Sequence, residues 1–173
     1  IPEAETRANS SSLGVFNNDI LDDPNVTMRY ILEIYYGDES RDRLVDYSDD
    51  TEVAFPVRLV PDRDYNFVVW ADVVTKENDA TEFTDVDNHY NTLDLKAITL
   101  KNDTWVAMDE TRDAFTGYFN TATDGDRTPY NGSKAINIPL TRPFAKLRVI
   151  TTDFDELAKY GIVAKSGQVT YSS

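Results

Sequence analysis

The chain has no cysteine, a single histidine and no apolar stretch approaching the ~20 residues that a membrane-crossing helix needs. Without cysteine there is neither a disulfide framework nor a thiolate metal site, and a small disulfide-stapled secreted module is disfavoured. With His89 alone, a histidine-bearing catalytic triad has one possible centre, and neither a Gly-x-Ser-x-Gly elbow nor a His-Glu-x-x-His pair occurs. A lone loop histidine reads as solvated. Walker and dinucleotide-binding glycine patterns are missing too, so phosphate chemistry has no foothold. Basic residues are scarce, 17 against 31 acidic for a formal net charge of −14. That balance repels a phosphate backbone or an anionic bilayer, and nucleic acid is not an expected partner.

What is present favours strands. Ten Tyr, eight Phe and two Trp suit sheet surfaces better than helical bundles. At 173 residues the chain fits one domain, or a domain plus an arm, and can bury a core without metal or disulfide staples. A chain opening at Ile1 rather than Met is expected where a targeting segment has been removed.

Residues 1–25 are polar around one apolar patch, Leu13, Val15 and Phe16, and read as a surface arm docking one short strand. Residues 26–173 read as the folded domain. Met28, Tyr30, Leu32, Ile34 and Tyr36 alternate with Arg29, Ile31, Glu33 and Tyr35, a strand ended by Gly37-Asp38. A charged connection holding Arg41, Asp42 and Arg43 comes next, and then Val53, Phe55, Val57 and Leu59 form the next strand, an edge or bulged one because of Pro56. Across Pro61-Asp62-Arg63-Asp64, this run and the alternating Tyr65, Phe67, Val69, Ala71 and Val73 read as a β-hairpin. Residues 76–91 form a long polar loop, of a length that is often functional. Leu93, Leu95, Ile98 and Leu100 make a short strand bulged at Lys96-Ala97, and residues 112–120 an irregular strand. Residues 135–140 and 144–151 are two further strands. A short capped helix opens at Thr152 and ends by Gly161, and a last alternating run from residue 162 looks cut from something longer. The class is all-β, an antiparallel β-sandwich with one short helix.

Three acidic pairs offer hard oxygen ligands for Ca²⁺: Asp62 with Asp64, Asp85 with Asp87 and Asn88, and Asp124 with Asp126. None continues into a full loop with a late bidentate Glu, so they read as solvated turn carboxylates, and no metal or cofactor is expected. Glycoside hydrolysis needs only two suitably spaced carboxylates, and 31 acidic residues neither point to such a pair nor exclude one. Trp70, Trp105, Tyr90 and Tyr130 can stack on sugar faces if they share one exposed surface. Trp70, however, lies opposite the Tyr65, Phe67, Val69 face of its strand and reads as packed under a second layer. No enzymatic activity is expected.

Several stretches together resemble the fimbrillin-like surface proteins of Bacteroidales. These are Val57-Arg58-Leu59-Val60-Pro61 with Tyr65-Asn66-Phe67-Val68-Val69-Trp70-Ala71-Asp72, then Tyr90-Asn91-Thr92-Leu93-Asp94-Leu95, Arg112-Asp113-Ala114-Phe115-Thr116-Gly117 and Leu140-Thr141-Arg142-Pro143-Phe144-Ala145-Lys146-Leu147-Arg148-Val149. The resemblance implies a transthyretin-like β-sandwich, normally followed by a second sandwich. It also implies export as a lipoprotein to the outer membrane of a Gram-negative bacterium, held there by a lipid on the precursor. The function it implies is structural or adhesive, as a subunit of surface fimbriae whose partners are other subunits or a host or bacterial surface ligand. Donor-strand exchange, also implied, would begin with an arginine-directed cut, for which Arg41 and Arg43 are best placed and Arg7 is the alternative. Loss of the early strand, with Met28, Tyr30, Leu32 and Ile34, would then open a groove for a partner strand. The reading from a second class is a glycan-binding cell-surface module that does not polymerise.

Overall fold

The computed structural model describes residues 18–77, 80–102, 109–124, 135–143 and 159–160. The chain divides into two compact units, Ile1–Pro143 and Phe144–Ser173, and of the second only Lys159 and Tyr160 are described. The expected strand at 144–151 and the run from 162 lie outside the described residues, as does the helix at 152–161 apart from those two.

Within the first unit the strands are β1 (Val26–Tyr36), β2 (Glu39–Ser48), β3 (Asn66–Thr75), β4 (Tyr90–Asn91), β5 (Thr99–Leu100) and β6 (Ala114–Asn120). Four of them make an antiparallel sheet in the order β2-β1-β3-β6, and β4 pairs with β5 alone. The described structure is mostly β, with antiparallel pairing and little helix, which is the all-β class.

β1 and β3 are rich in Val, Ile, Tyr and Phe, residues that fit a pleated, buried surface. Both are buried almost end to end, because both faces of the sheet are covered. One face presents Ile31, Tyr35, Val68, Trp70 and Ala114 to the segment 80–100, which packs Tyr90, Leu95, Ile98 and Leu100 against them. The other presents Met28, Tyr30, Leu32, Ile34, Phe67, Val69, Ala71, Val73 and Phe115. It is covered by Ile20 and Leu21 of a 3-10 helix (Asn18–Asp22), by Val53, Phe55, Val57 and Leu59, and by Ile136, Ile138 and Leu140.

The turn after β1 stands where Gly37-Asp38 places it. Gly37 has φ 62°, a left-handed conformation that glycine adopts without a Cβ penalty, and the two-residue loop joins Tyr36 to Glu39 in register. The next segment departs from expectation: Arg41, Asp42 and Arg43 belong to β2, not to a connection. β2 is an edge strand among the described residues, and its charges oppose edge-to-edge pairing with another sheet.

The expected hairpin across residues 61–64 does not form. Both edges of β3 are taken, one by β1 and the other by β6. Residues 53–59 keep their alternation as a half-buried and exposed pattern, but their apolar side chains lie on a face of the sheet rather than beside β3. The turn itself is present, with Asp62 at φ 58°. The strand expected over 93–100 shrinks to β5, because Leu93 is 85% exposed and a turn at 95–96 breaks the run. Residues 135–140 form no strand among the described residues. They alternate in burial and are tied down at Thr141, which exchanges backbone hydrogen bonds with Thr116, and at Arg142, whose guanidinium bonds both oxygens of Asp113.

Gly117 is what lets that segment approach. A Cβ there would stand 2.7 Å from Leu140 Cδ2, 2.8 Å from Ile138 Cγ2 and 2.9 Å from the Pro139 carbonyl oxygen. The backbone oxygen cannot rotate away. Gly117→Val is therefore expected to cost about 1–3 kcal/mol through overpacking. Urea denaturation checks this; an unchanged midpoint would mean that the 135–141 segment does not hold this position.

Candidate functional site

β1 carries two different inventories on its two faces. The strand has its period of two, so Met28, Tyr30, Leu32 and Ile34 enter the apolar face while Arg29, Ile31, Glu33 and Tyr35 face the segment 80–100. The four residues expected to leave with the early strand in strand exchange are thus brought together, each buried. Tyr30 Oη donates to the Asp50 carbonyl oxygen at 2.7 Å. Burial, with Asp50 and Asp49 nearby, pushes the Tyr30 hydroxyl up to about 12.

On the opposite face lies a charged cluster that the sequence did not reveal. Register sets Arg29 directly across from Asp72 of β3, and their side chains are 0% and 1% exposed. Arg29 Nε and Nη2 donate to the two Asp72 oxygens at 2.9 and 2.8 Å, the bidentate fork that suits a guanidinium. Arg29 also donates to Asp85 Oδ1 at 2.8 Å and Asp87 Oδ1 at 3.0 Å. Burial alone would lower the Arg29 pKa, but Asp72 and Asp87 outweigh it and raise it, so the guanidinium stays charged. Burial raises the Asp72 carboxyl, with Arg29 opposing. For Asp87 burial also pushes upward, yet hydrogen bonds from the Thr92 hydroxyl and amide and from Arg29 prevail and lower it.

The cluster continues into β2. Arg43 donates to the Thr92 carbonyl at 2.9 Å and lies 3.3 Å from Asp85, while Glu33 accepts from Ser40 Oγ and from the Leu95 amide. These bonds pin the segment 80–100 to the sheet. Asp85 and Asp87, the carboxylates expected to stand solvated in a turn, are spent on Arg29 and Arg43 instead. Asp62 and Asp64 are exposed, and Asp124 is used by its own turn, accepting from the Asn120 amide at 2.8 Å. Asp126 lies outside the described residues. Among the described residues no group of three or more His, Cys, Asp or Glu is set to hold a metal ion.

The chain matches, over residues 1–173, a family described as a family of unknown function, DUF6562. It belongs to that family. No curated protein and no solved structure matches it.

The two arginines read as processing positions differ in setting. Arg41 is half-exposed on the β2 edge, 2.8 Å from Glu39 and over the Tyr36 ring, whereas Arg43 is largely tied into the cluster. Arg7 lies outside the described residues. Arg63, which sequence reasoning passed over, sits in the exposed turn at 61–64. Of the aromatics read as sugar-stacking, Trp70 and Tyr90 are buried edge to face at 5.1 Å, and Trp105 and Tyr130 lie outside the described residues.

His89 is not the solvated loop histidine that its sequence context suggests. It is half-buried, with Nε2 3.0 Å from Thr111 Oγ1. That hydroxyl donates its only hydrogen to Asp109 Oδ1 at 2.6 Å, so His89 Nε2 must be the donor, which fixes the tautomer. Burial, with Arg112 adding to it, lowers the His89 pKa from its ordinary 6.5. Between the lowered folded pKa and the unfolded one the unfolded chain binds more protons, so stability rises with pH through that window. Denaturant titrations are expected to show stability falling as pH drops below the ordinary histidine value, and the dependence disappearing in His89→Gln. An identical slope in the variant would assign it elsewhere.

Proposed function

We propose that the protein is a structural or adhesive component of bacterial surface fimbriae, non-enzymatic and displayed at the outer membrane from a lipidated precursor. Its transthyretin-like β-sandwich joins neighbouring subunits by strand exchange. The observation that carries this reading is the place of β1, a central strand paired along both edges and buried on both faces. Removing such a strand opens a groove with unpaired backbone on two sides and an apolar floor, the arrangement that strand addition fills. Met28, Tyr30, Leu32 and Ile34 together represent roughly 6–12 kcal/mol of apolar burial. A strand that replaces them therefore makes a firm joint.

The reading carries a constraint of its own. β1 also takes Arg29 with it, and Asp72 cannot stay buried without a cation. An incoming strand must therefore present alternating apolar side chains on one face and a basic residue at the Arg29 position on the other.

Arginine-specific digestion followed by intact mass and size-exclusion chromatography tests this. A cut after Arg41, the more exposed of the two β2 arginines, is expected to convert monomer to higher oligomers. Resistance, cleavage after Arg63 alone, or cleavage with no change in size would sink the exchange mechanism.

A further inference from the structure

At the edge of the described sheet β6 presents an exposed aromatic ring. Tyr118 is 57% exposed although it stands opposite buried Val68. Asn66 and Asn120 form the next pair on the same face, because residues two apart on a strand share a face. The three side chains hold one another. Asn66 Oδ1 accepts from Tyr118 Oη at 2.8 Å and from Asn120 Nδ2 at 2.6 Å. Asn120 Oδ1 in turn accepts from the Ala122 and Thr123 amides at 2.7 and 3.1 Å, which fixes the orientation of its amide.

The donors and acceptors of this group define what it can hold. The Tyr118 ring is exposed yet held by its hydroxyl, a platform that loses little rotamer freedom when something stacks on it. The Asn66 carbonyl is saturated by two donors while its half-buried amide nitrogen bonds no described residue, leaving two N–H groups for a ligand. The carboxylate bonded into this group, Asp124, has one oxygen accepting from the Asn120 amide and the other from Thr123 Oγ1. These residues offer no free cation for an anionic ligand.

We infer that Tyr118, Asn66 and Asn120 form a binding site for a neutral saccharide, stacked by its C–H face on Tyr118 and hydrogen-bonded through a hydroxyl to Asn66 Nδ2. A neutral ring with one apolar face and hydroxyls at its rim matches an aromatic platform edged by amides. The site is on an open surface, so single-site affinity is weak, about millimolar. The inference is independent of strand exchange and uses none of the residues involved in it.

The test is an amide chemical-shift titration of the intact protein with neutral cello-, xylo-, malto- and manno-oligosaccharides. At least one series is expected to shift the Asn66 and Asn120 side-chain amides. Tyr118→Ala is expected to weaken that binding about tenfold or more at unchanged melting temperature. Tyr118→Phe, which keeps the ring and loses its tether, is expected to lose less. No shift with any series, shifts confined to another surface, binding unaffected by Tyr118→Ala, or a response at these residues only to peptides would each overturn the assignment.

Discussion

Arg29→Ala is expected to destabilise the protein by about 3–5 kcal/mol, because it leaves Asp72 buried with its charge uncompensated. For a chain of this size that corresponds to a melting temperature lower by roughly 6–20 °C. The penalty should depend on pH in a definite direction. Burial already raises the Asp72 pKa, and removing the opposing guanidinium raises it further. A raised folded pKa means that the folded state takes up a proton more readily than the unfolded one, so lowering the pH favours folding of the variant. The deficit should therefore be largest at neutral pH and shrink in acid. A second variant separates the pair from its parts: Arg29→Met combined with Asp72→Leu replaces both ions with apolar groups and should recover much of the loss. Paired denaturation curves at several pH values decide the matter. A loss below about 1 kcal/mol at neutral pH would mean that Asp72 reaches water or another cation.

Trp70→Ala should be comparably damaging, by about 3–5 kcal/mol. Trp70 stands in the middle of β3, opposite Ile31 on one side and Thr116 on the other, and meets Tyr90 edge to face at 5.1 Å. The indole belongs to the apolar contact between the sheet and the segment 80–100, with Leu95, Ile98 and Leu100 in the same cluster. Its loss leaves a cavity that cannot collapse, because hydrogen bonds to Glu33 and Asp87 hold Leu95 and Thr92 in place. Hydrogen exchange should accordingly accelerate at the Thr92 and Leu95 amides, and Trp70→Phe, which keeps an aromatic ring against Tyr90, should cost less. Unchanged protection of those two amides would show that the segment is held by its ion pairs alone.

These two expectations mark the two ways in which the segment 80–100 is fastened, and they are unequally visible in the sequence. That Trp70 faces away from Tyr65, Phe67 and Val69 follows from alternation along one strand, and its burial under a second layer is what the structure has. The destination of Asp85 and Asp87 cannot be read in the same way. Their partner Arg29 lies more than fifty residues earlier, and nothing in an Asp-rich loop distinguishes a carboxylate that will meet a buried guanidinium from one that stays in water. β2 is hidden for a related reason, since an edge strand lined with Glu39, Arg41, Asp42 and Arg43 lacks the apolar alternation that identifies a strand. Tyr118, likewise, reads as one more strand tyrosine until its neighbours are known.

By itself the sequence determined the β class, the courses of β1 and β3, the turn at Gly37 and which residues of each of these strands share a face. All of these rest on alternation and turn chemistry within a few residues of one another. Only the tertiary structure decided that β3 lies between β1 and β6 rather than in a hairpin with residues 53–59, that Arg29 meets Asp72, and that Tyr118 is left bare beside two asparagines. Periodicity states which way a side chain points but not what it points at; the partner is chosen by burial and register over long separations, where many pairings satisfy the same local pattern.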